Sequence, residues 1–149
     1  MCSFIYDDGG RKDAGYKGST NDCVVRAISI ISGLSYKEVY NDINHLAKQS
    51  KSNSSARNDV SKKIFHSYLY SLGFKWVPLM GIGTGCKVHL NEKELPKGKL
   101  ICRCSKHLVA VIDGVIHDTY NPNEKVSYCW KQDKYFEPSD RCVYGYYTR

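Results

Sequence analysis

Three residues of this chain have side chains that could act together in nucleophilic catalysis: Cys23, His107 and Asp118. A cysteine attacks as the thiolate, so its pKa must fall below the reference value of about 8.5. A histidine can take up the thiol proton, and a carboxylate can orient the histidine ring. These residue types predict attack of a thiol on a carbonyl carbon, provided that the fold brings the three side chains together.

The sequence around Cys23 has the pattern of a helix that begins beside the thiol. Residues that favour helix N-termini precede it, Ser19-Thr20-Asn21-Asp22, and Gly33 provides a C-terminal stop. Apolar residues recur between them at helical spacing: Val24, Ala27, Ile28 and Ile31. Cys23 is therefore expected in the first turn, where unpaired backbone N–H groups favour an anion, although the charge of Asp22 opposes this slightly.

The dipeptide Asp113-Gly114 lies between two β-rich segments and predicts a two-residue hairpin turn. Counting back along the two strands from that turn places His107 opposite Tyr120, two residues beyond Asp118. Facing residues share one face of a sheet, as do residues two apart on one strand. His107 and Asp118 are therefore expected as diagonal neighbours within reach of a hydrogen bond, and His117 is expected to point the other way.

Each of these residues also has an interpretation without this chemistry, or a substitute. Cys23 suits a small buried position in a helix, and His107 suits an ordinary surface or core position. Asp118 could instead cap a turn leading into Asn121. Asn121 is the alternative orienter of the histidine, and His117 takes the place of His107 if the hairpin loop is longer than two residues.

The elements that must position these side chains indicate an α+β fold. Ser35 and Glu38 form a capping box that opens a second helix, and a third helix is expected from about residue 59 to residue 72. After Gly73 the periodicity changes to that of short strands, at residues 74–77, 87–90, 99–103, 107–112, 115–118 and 142–147. Helices followed by an antiparallel sheet predict a single domain over residues 19–149, preceded by an irregular arm, residues 1–18.

Composition narrows the class of protein. The chain has 149 residues, 42% of them hydrophobic, and 22 Lys+Arg against 15 Asp+Glu give a net charge of +7. Its longest uninterrupted apolar run, residues 108–112, is far shorter than the roughly 20 residues of a membrane-spanning helix. The N-terminus lacks the basic-then-apolar layout of a secretory signal. A soluble cytoplasmic protein is therefore expected, in the host cytoplasm if the protein is viral.

The seven cysteines are expected to be mostly reduced thiols in that compartment, and at least one is unpaired because the number is odd. A zinc site is a second interpretation of some of them. Cys102 and Cys104 with His107, joined by Cys86 or Cys129, supply suitable ligand types. The single residue between the first two cysteines is fewer than the usual two to four, so no metal or other cofactor is predicted.

The positive charge raises the question of a nucleic-acid partner. Basic and aromatic residues interleave over residues 128–136 and again over residues 144–149, as they do on surfaces that stack with bases. The chain has twelve tyrosines, and the six that follow Gly73 are spread along the β-rich half, which indicates packing within the sheet and core instead. The charge is also distributed along the chain without a long basic block, so it selects no partner by itself.

The residues quoted above resemble a known superfamily. Asn21-Asp22-Cys23 opening an apolar helix, with a late His-Leu-Val-Ala-Val-Ile hairpin and an acidic residue, is similar to the papain-like cysteine peptidases. Within them the layout is most similar to the bacteriocin-processing peptidase-like group and to small phage or bacterial relatives. The resemblance extends over most of residues 19–147, and its motif-like parts are residues 20–31 and 107–122.

The resemblance implies a papain-like fold, with Cys23 as nucleophile, His107 as general base and Asp118 as orienter, acting on a protein or peptide. The chain departs from the family in one respect. Such peptidases usually place a glutamine several residues before the cysteine to help form the oxyanion hole, whereas residues 16–18 here are Tyr-Lys-Gly. Asn21 is the candidate substitute, together with the backbone N–H of Cys23.

Two classes of function follow from this reading. The first is a thiol hydrolase that cleaves an amide or isopeptide bond, with acyl transfer as a variant that uses the same residues. The second is a non-catalytic binding or inhibitor protein on the same fold, which engages an acidic protein or nucleic acid. The missing glutamine and the basic charge favour the second class.

Overall fold

The computed structural model describes residues 2–18, 20–58, 60–81, 83–124, 127–129, 133–136 and 140–149. Three helices come early in these residues: α1, Cys23–Ser32; α2, Tyr36–Gln49; and α3, Lys62–Ser71. Most strands follow them: β1, Ser3–Tyr6; β2, Lys75–Pro78; β3, Lys99–Cys104; β4, His107–Ile112; β5, Val115–Asp118; β6, Ser127–Cys129; β7, Lys134–Phe136; and β8, Gly145–Thr148. A short 3₁₀ helix, Pro122–Glu124, lies between β5 and β6.

The main sheet has six strands in the order β1-β5-β4-β3-β8-β2, and β6 pairs with β7 in a separate ribbon. All pairings in the main sheet are antiparallel except that of β1 with β5. The three helices pack on this sheet, and α1 makes its closest association with the central strand β4. The predicted α+β class is confirmed, with α1 beginning at Cys23.

Local signals account for the end of α1 and the start of α2. Gly33 has φ +80° and ends α1, because its backbone N–H donates to the carbonyl of Ser29 from the left-handed conformation that glycine adopts without strain. The side-chain oxygen of Ser35 accepts the backbone N–H of Glu38 at 3.1 Å, as the predicted cap requires. The short connection between these two signals turns the chain from α1 into α2.

The apolar residues divide into two clusters on either side of the sheet. Leu108 and Ala110 of β4 belong to the cluster beneath the helices, which includes Ile28. Val109 and Val111 belong to the second cluster, which lies on the other side. Because successive side chains of a strand point to opposite faces, a strand that is apolar throughout must be covered on both sides. This burial fixes the position of β4 and of the histidine that begins it.

Several predicted elements differ from those observed. The arm predicted as irregular contains β1, which pairs in parallel with β5 through contacts far apart in sequence. Residues 87–90 form no strand beyond one bridge between His89 and Cys142. The last strand covers residues 145–148 rather than 142–147, and α3 begins at Lys62. The predicted helix start at residue 59 lies outside the described residues. No helix in the described part of the chain has the length and apolar character needed to cross a bilayer.

Candidate active site

Cys23 is the first residue of α1, as the capping pattern predicts. Asp22 precedes it at the N-cap position, but its carboxylate makes no capping hydrogen bond to the first turn. The Asp22 side chain is instead buried and turned towards Arg26 one turn later. Asp22 therefore does not cap the backbone N–H groups of the first turn, and the positive end of the helix dipole lies beside the thiol.

The hairpin has the predicted register. Ile112 pairs with Val115 across the Asp113-Gly114 turn, and Ala110 pairs with His117. Asp113 and Gly114 both have positive φ, +48° and +79°, as a type I′ turn requires. The first residue of β4 and the last residue of β5 are therefore diagonal neighbours at the end of the hairpin opposite the turn.

His107 and Asp118 occupy those two positions. Nε2 of His107 lies 2.6 Å from Oδ2 of Asp118, and both side chains are buried. Because an ionised carboxylate only accepts hydrogen bonds, Nε2 carries the proton and donates it. This leaves Nδ1 as the nitrogen available to the thiol. The diagonal contact expected from the sequence is present.

The imidazole of His107 also interacts with the thiol of Cys23, and this interaction shifts the pKa of both groups. Burial by itself raises the pKa of Cys23. The hydrogen bond and charge of His107, the backbone N–H of Leu108 and the charge of Arg26 outweigh it, and the net direction is downward. Burial also lowers the pKa of His107, but its hydrogen bonds to Asp118 and Cys23 raise it to about 9. These opposite shifts favour a thiolate–imidazolium pair.

Arg26 connects the helix to this pair. It is buried, it forms an ion pair with Asp22 through Nη1, and its Nη2 lies 3.3 Å from Oδ1 of Asp118. Oδ1 of Asp118 also accepts the backbone N–H of Thr119 at 2.7 Å. The carboxylate that holds His107 is thus held in turn by a guanidinium fixed in the first turns of α1, one turn after the thiol.

The charge of Asp22 is more strongly compensated than the sequence suggests. Besides Arg26, the hydroxyl of Tyr36 on α2 donates to Oδ2 of Asp22, and Nε of Arg11 lies 3.5 Å from the same oxygen. The expected opposition between Asp22 and a thiolate at Cys23 is therefore offset by neighbouring donors and cations. Arg11 belongs to the N-terminal segment, so the predicted arm contributes to the site.

A cleft of about 870 Å³ opens onto the thiol. Its lining includes Cys23, His107 and Asn21, the last of these exposed. Tyr120 covers one side of the histidine, with its ring centroid 5.3 Å from that of His107 and its hydroxyl 3.5 Å from Nδ1. The nucleophile candidate is accessible from the cleft, while the histidine and its carboxylate are protected from bulk water.

The alternative residues lie elsewhere or have other partners. His117 points away from the thiol, and its Nδ1 lies 3.6 Å from Oδ2 of Asp7. Asn121 accepts the backbone N–H of Asn123 through Oδ1 at 3.0 Å and so stabilises the turn after β5. Asp118, rather than Asn121, is therefore the hydrogen-bond partner of the histidine.

The expectation of reduced cysteines is wrong for one pair. Cys86 and Cys142 form a disulfide with a Cα–Cα distance of 5.9 Å, because the loop after β2 and the segment before β8 come together in the fold. The free cysteines in the described residues are Cys2, Cys23, Cys102 and Cys104. The side chain of Cys129 lies outside the described residues.

The zinc interpretation finds no support in the same residues. Cys102 and Cys104 are buried in the apolar cluster on the far side of the sheet, while His107 is engaged by Asp118. Throughout the described ranges, no group of three or more His, Cys, Asp or Glu side chains is arranged to hold a metal ion.

The structure describes the two basic and aromatic segments to different extents. In the first, residues 130–132 and the side chains of residues 128–129 and 134–136 lie outside the described part of the chain. Tyr147 is fully buried and packs against Phe65 and Trp76, as the core interpretation predicts. Tyr144 lies beneath the guanidinium of Arg103, which is 5.8 Å from the ring centroid.

Arg26, Arg11 and Tyr36 are site residues that the sequence analysis does not identify, whereas Tyr120 is expected opposite His107 from the hairpin register. A signal for Arg26 is present in the sequence, since Asp22 and Arg26 are four residues apart on one helix and can pair. For Arg11 and Tyr36 the contact with Asp22 joins segments whose approach depends on tertiary packing. No local pattern predicts such contacts.

Comparison of the chain with protein-family models, with curated proteins and with solved structures finds no match.

Proposed function

We propose that this protein is a cysteine peptidase-like thiol hydrolase with a papain-like arrangement, which cleaves an amide or isopeptide bond in a protein or peptide. The observation that carries this proposal is that Cys23 and His107 line the same cleft and interact, while Nε2 of His107 is hydrogen-bonded to Asp118. The same three residues carry the resemblance in the sequence. Their geometry supports the roles of nucleophile, general acid–base and orienter.

The reaction would begin with attack of the Cys23 sulfur on the carbonyl carbon. The proton on His107 then passes to the leaving amine as the carbon–nitrogen bond breaks, and a thioester remains on Cys23. Water next attacks the thioester while His107 takes up its proton. The carboxylic acid product leaves as the carbon–sulfur bond breaks, and the thiolate–imidazolium pair is restored. Asp118 holds one tautomer of the ring throughout, so that Nδ1 faces the sulfur.

Stabilisation of the oxyanion would come from the start of α1. The backbone N–H of Cys23 and the side-chain amide of Asn21 are the candidate donors, and Asn21 lines the cleft beside the thiol. Loss of one such donor typically costs about 10²–10³ in rate. Transfer of the acyl group to an amine instead of water would use the same residues, so acyl transfer belongs to the same proposal.

The alternative, a non-catalytic binding protein on this fold, requires no activated thiol. The rate of alkylation by iodoacetamide at neutral pH separates the two functions. We expect Cys23 to react faster than Cys2 and Cys104, because burial raises the pKa of those thiols to about 11 and about 12. Labelling is located by peptide mass spectrometry, and C23S must abolish the fast phase.

The critical variant is His107→Ala, which removes the hydrogen bond and charge that lower the pKa of Cys23. His117→Ala is the matched control, because His117 lies on the same hairpin but contacts Asp7 instead. We expect His107→Ala to slow labelling of Cys23 and His117→Ala to leave it unchanged. Equal rates in the two variants, or a Cys23 no faster than the buried thiols, would refute the proposed function.

A further inference from the structure

The cleft beside Cys23 is lined by cations that come from α3, from β3 and from the turn after β3. Lys62 is the first residue of α3, Lys106 lies in the turn between β3 and β4, and Arg103 lies on β3. Lys62 and Lys106 are exposed, and Arg103 is half-buried. The positive end of the α3 dipole has the same sign as these side chains. Three positive groups therefore surround the approach to the thiol.

These charges are not compensated within the cleft. Among the described residues that line it there is no aspartate or glutamate. Arg26 also lines the cleft, but Asp22 and Asp118 balance its charge. Lys62, Arg103 and Lys106 form no ion pair with a carboxylate in the described parts of the chain. The cleft thus has an excess of positive charge that a bound molecule can satisfy.

We infer that the substrate is an acidic peptide, in which one or more carboxylates flank the bond that is cleaved. This inference rests on the proposed function, since it concerns what the same cleft binds. Clefts lined by one sign of charge concentrate ligands of the opposite sign and raise their association rates. Lys62 and Lys106 come from different elements of the cleft lining and are exposed, so both are available to carboxylates of a bound peptide.

The chemistry of the site favours a peptide over a polynucleotide as the anionic partner. A thiolate attacks an acyl carbon, and peptides supply such carbons at every residue. A nucleic acid offers phosphodiester groups, for which the Cys23–His107–Asp118 line has no evident use. The charges and the nucleophile therefore point to the same class of molecule, a peptide with Asp or Glu near the scissile bond.

The first test compares alkylation of Cys23 by iodoacetate and by iodoacetamide. Iodoacetate carries a carboxylate where iodoacetamide carries a neutral amide of nearly the same size. The same thiolate attacks the methylene carbon of either reagent and displaces iodide. The ratio of their rates therefore cancels any change in thiolate population. We expect K62Q and K106Q each to lower the ratio about two-fold, because each removes one unit charge from a solvent-filled cleft. High salt should lower the wild-type ratio similarly.

Lys63→Gln is the matched control, because Lys63 is adjacent to Lys62 on α3 and exposed but does not line the cleft. We expect its ratio to equal that of the wild type. The inference is overturned if the ratio of the two alkylation rates in K62Q and K106Q equals the ratio in K63Q. That result would not affect the proposed function, which depends on the absolute rate with iodoacetamide.

The second test uses two fluorogenic peptides that differ only in Glu or Gln on both sides of the scissile bond. We expect a higher kcat/KM for the Glu peptide, and a loss of this preference in K62Q and K106Q but not in K63Q. Equal kcat/KM for the two peptides overturns the inference and leaves the hydrolase intact. Failure to cleave either peptide counts against the proposed function, and the alkylation ratio still decides the charge preference. Protection of Cys23 by a single-stranded oligonucleotide but not by the Glu peptide would also overturn the inference.

Discussion

At the scale of single residues, the reactivity of the site depends on two pKa values that move in opposite directions. The pKa of His107 is raised from 6.5 to about 9, so its contribution to stability is present below pH 6.5 and lost as pH rises through about 9. The pKa of Cys23 is lowered, so its contribution is present above 9.0 and lost as pH falls through the lowered value. Where the two pH ranges overlap, the folded state holds a proton on His107 that the unfolded state lacks, and lacks a proton on Cys23 that the unfolded state holds. The two groups therefore have opposite effects on how stability changes with pH.

A titration specific to His107 avoids this cancellation. Substitution of Asp118 by Asn removes the negative charge that stabilises the imidazolium, so the pKa of His107 should fall below about 9. NMR titration of the histidine ring protons, assigned with the His107→Ala variant, measures this. Asp113→Asn serves as the control, because Asp113 lies in the turn of the same hairpin and accepts from the backbone of Gly98. An unchanged titration of His107 in Asp118→Asn would show that the 2.6 Å contact does not set its pKa.

At the scale of secondary-structure elements, the first two turns of α1 do more than present the thiol. They also hold Arg26, which links Asp22 on its own helix to Asp118 at the end of β5. The helix and the hairpin are thereby joined by charge as well as by apolar packing. The orientation of the carboxylate beside His107 depends on both elements.

Removal of the guanidinium should be costly because two carboxylates lose a buried counter-charge. We expect Arg26→Met to lower the free energy of unfolding by about 3 kcal/mol or more, the range measured when one member of a buried ion pair is deleted. Urea unfolding measures the change, and Arg26→Lys, which keeps the charge, should lose less. Arg57→Met removes an exposed arginine and should stay within roughly 0.5 kcal/mol of the wild type. A similarly small effect in Arg26→Met would contradict the bridging role.

The hairpin turn offers a second prediction at this scale. Gly114 has φ +79°, and a Cβ atom there would lie 2.8 Å from Cβ of Glu92. Gly114→Ala should therefore destabilise the protein by roughly 1–3 kcal/mol, through backbone strain and this close contact. At Gly81 the nearest atom to an added Cβ is 3.7 Å away, so Gly81→Ala should have little effect. Thermal unfolding compares the two variants, and equal midpoints would argue against the I′ turn.

At the scale of the whole molecule, two long-range connections complete the domain. β1 closes one edge of the sheet, and the segment after it passes over α1, where Gly9 would bring a Cβ atom within 3.1 Å of Cα of Arg26. On the other side, the disulfide joins Cys86 to Cys142 across 56 residues of sequence. Neither cysteine lines the cleft.

The disulfide should therefore contribute to stability and leave the thiol chemistry unchanged. For a loop of this length, the restriction of the unfolded chain corresponds to about 4 kcal/mol. We expect the double variant C86S/C142S to unfold at a lower urea concentration, while Cys23 keeps its rate of alkylation under native conditions. A variant as stable as the wild type would contradict this contribution, and a slower Cys23 would place the disulfide in support of the site.

The amino-acid sequence by itself determined the parts of the site that depend on local patterns. The start of α1 at Cys23 follows from capping residues and helical spacing within a dozen positions. The register that brings His107 to Asp118 follows from a two-residue turn and from the alternation of side chains between the two faces of a strand. The prediction therefore succeeded for two residues that are eleven positions apart. Short-range steric and hydrogen-bonding rules suffice for both.

Only the tertiary structure decided which distant segments meet. The interaction between Cys23 and His107, the bridge from Arg26 to Asp118 and the pairing of β1 with β5 each join residues about 80 or more positions apart. The disulfide and the group of cations that line the cleft depend on the same folding. Such contacts arise from the burial of the whole core, which constrains all elements at once. The residue pattern of a short segment does not predict which distant segment it will contact.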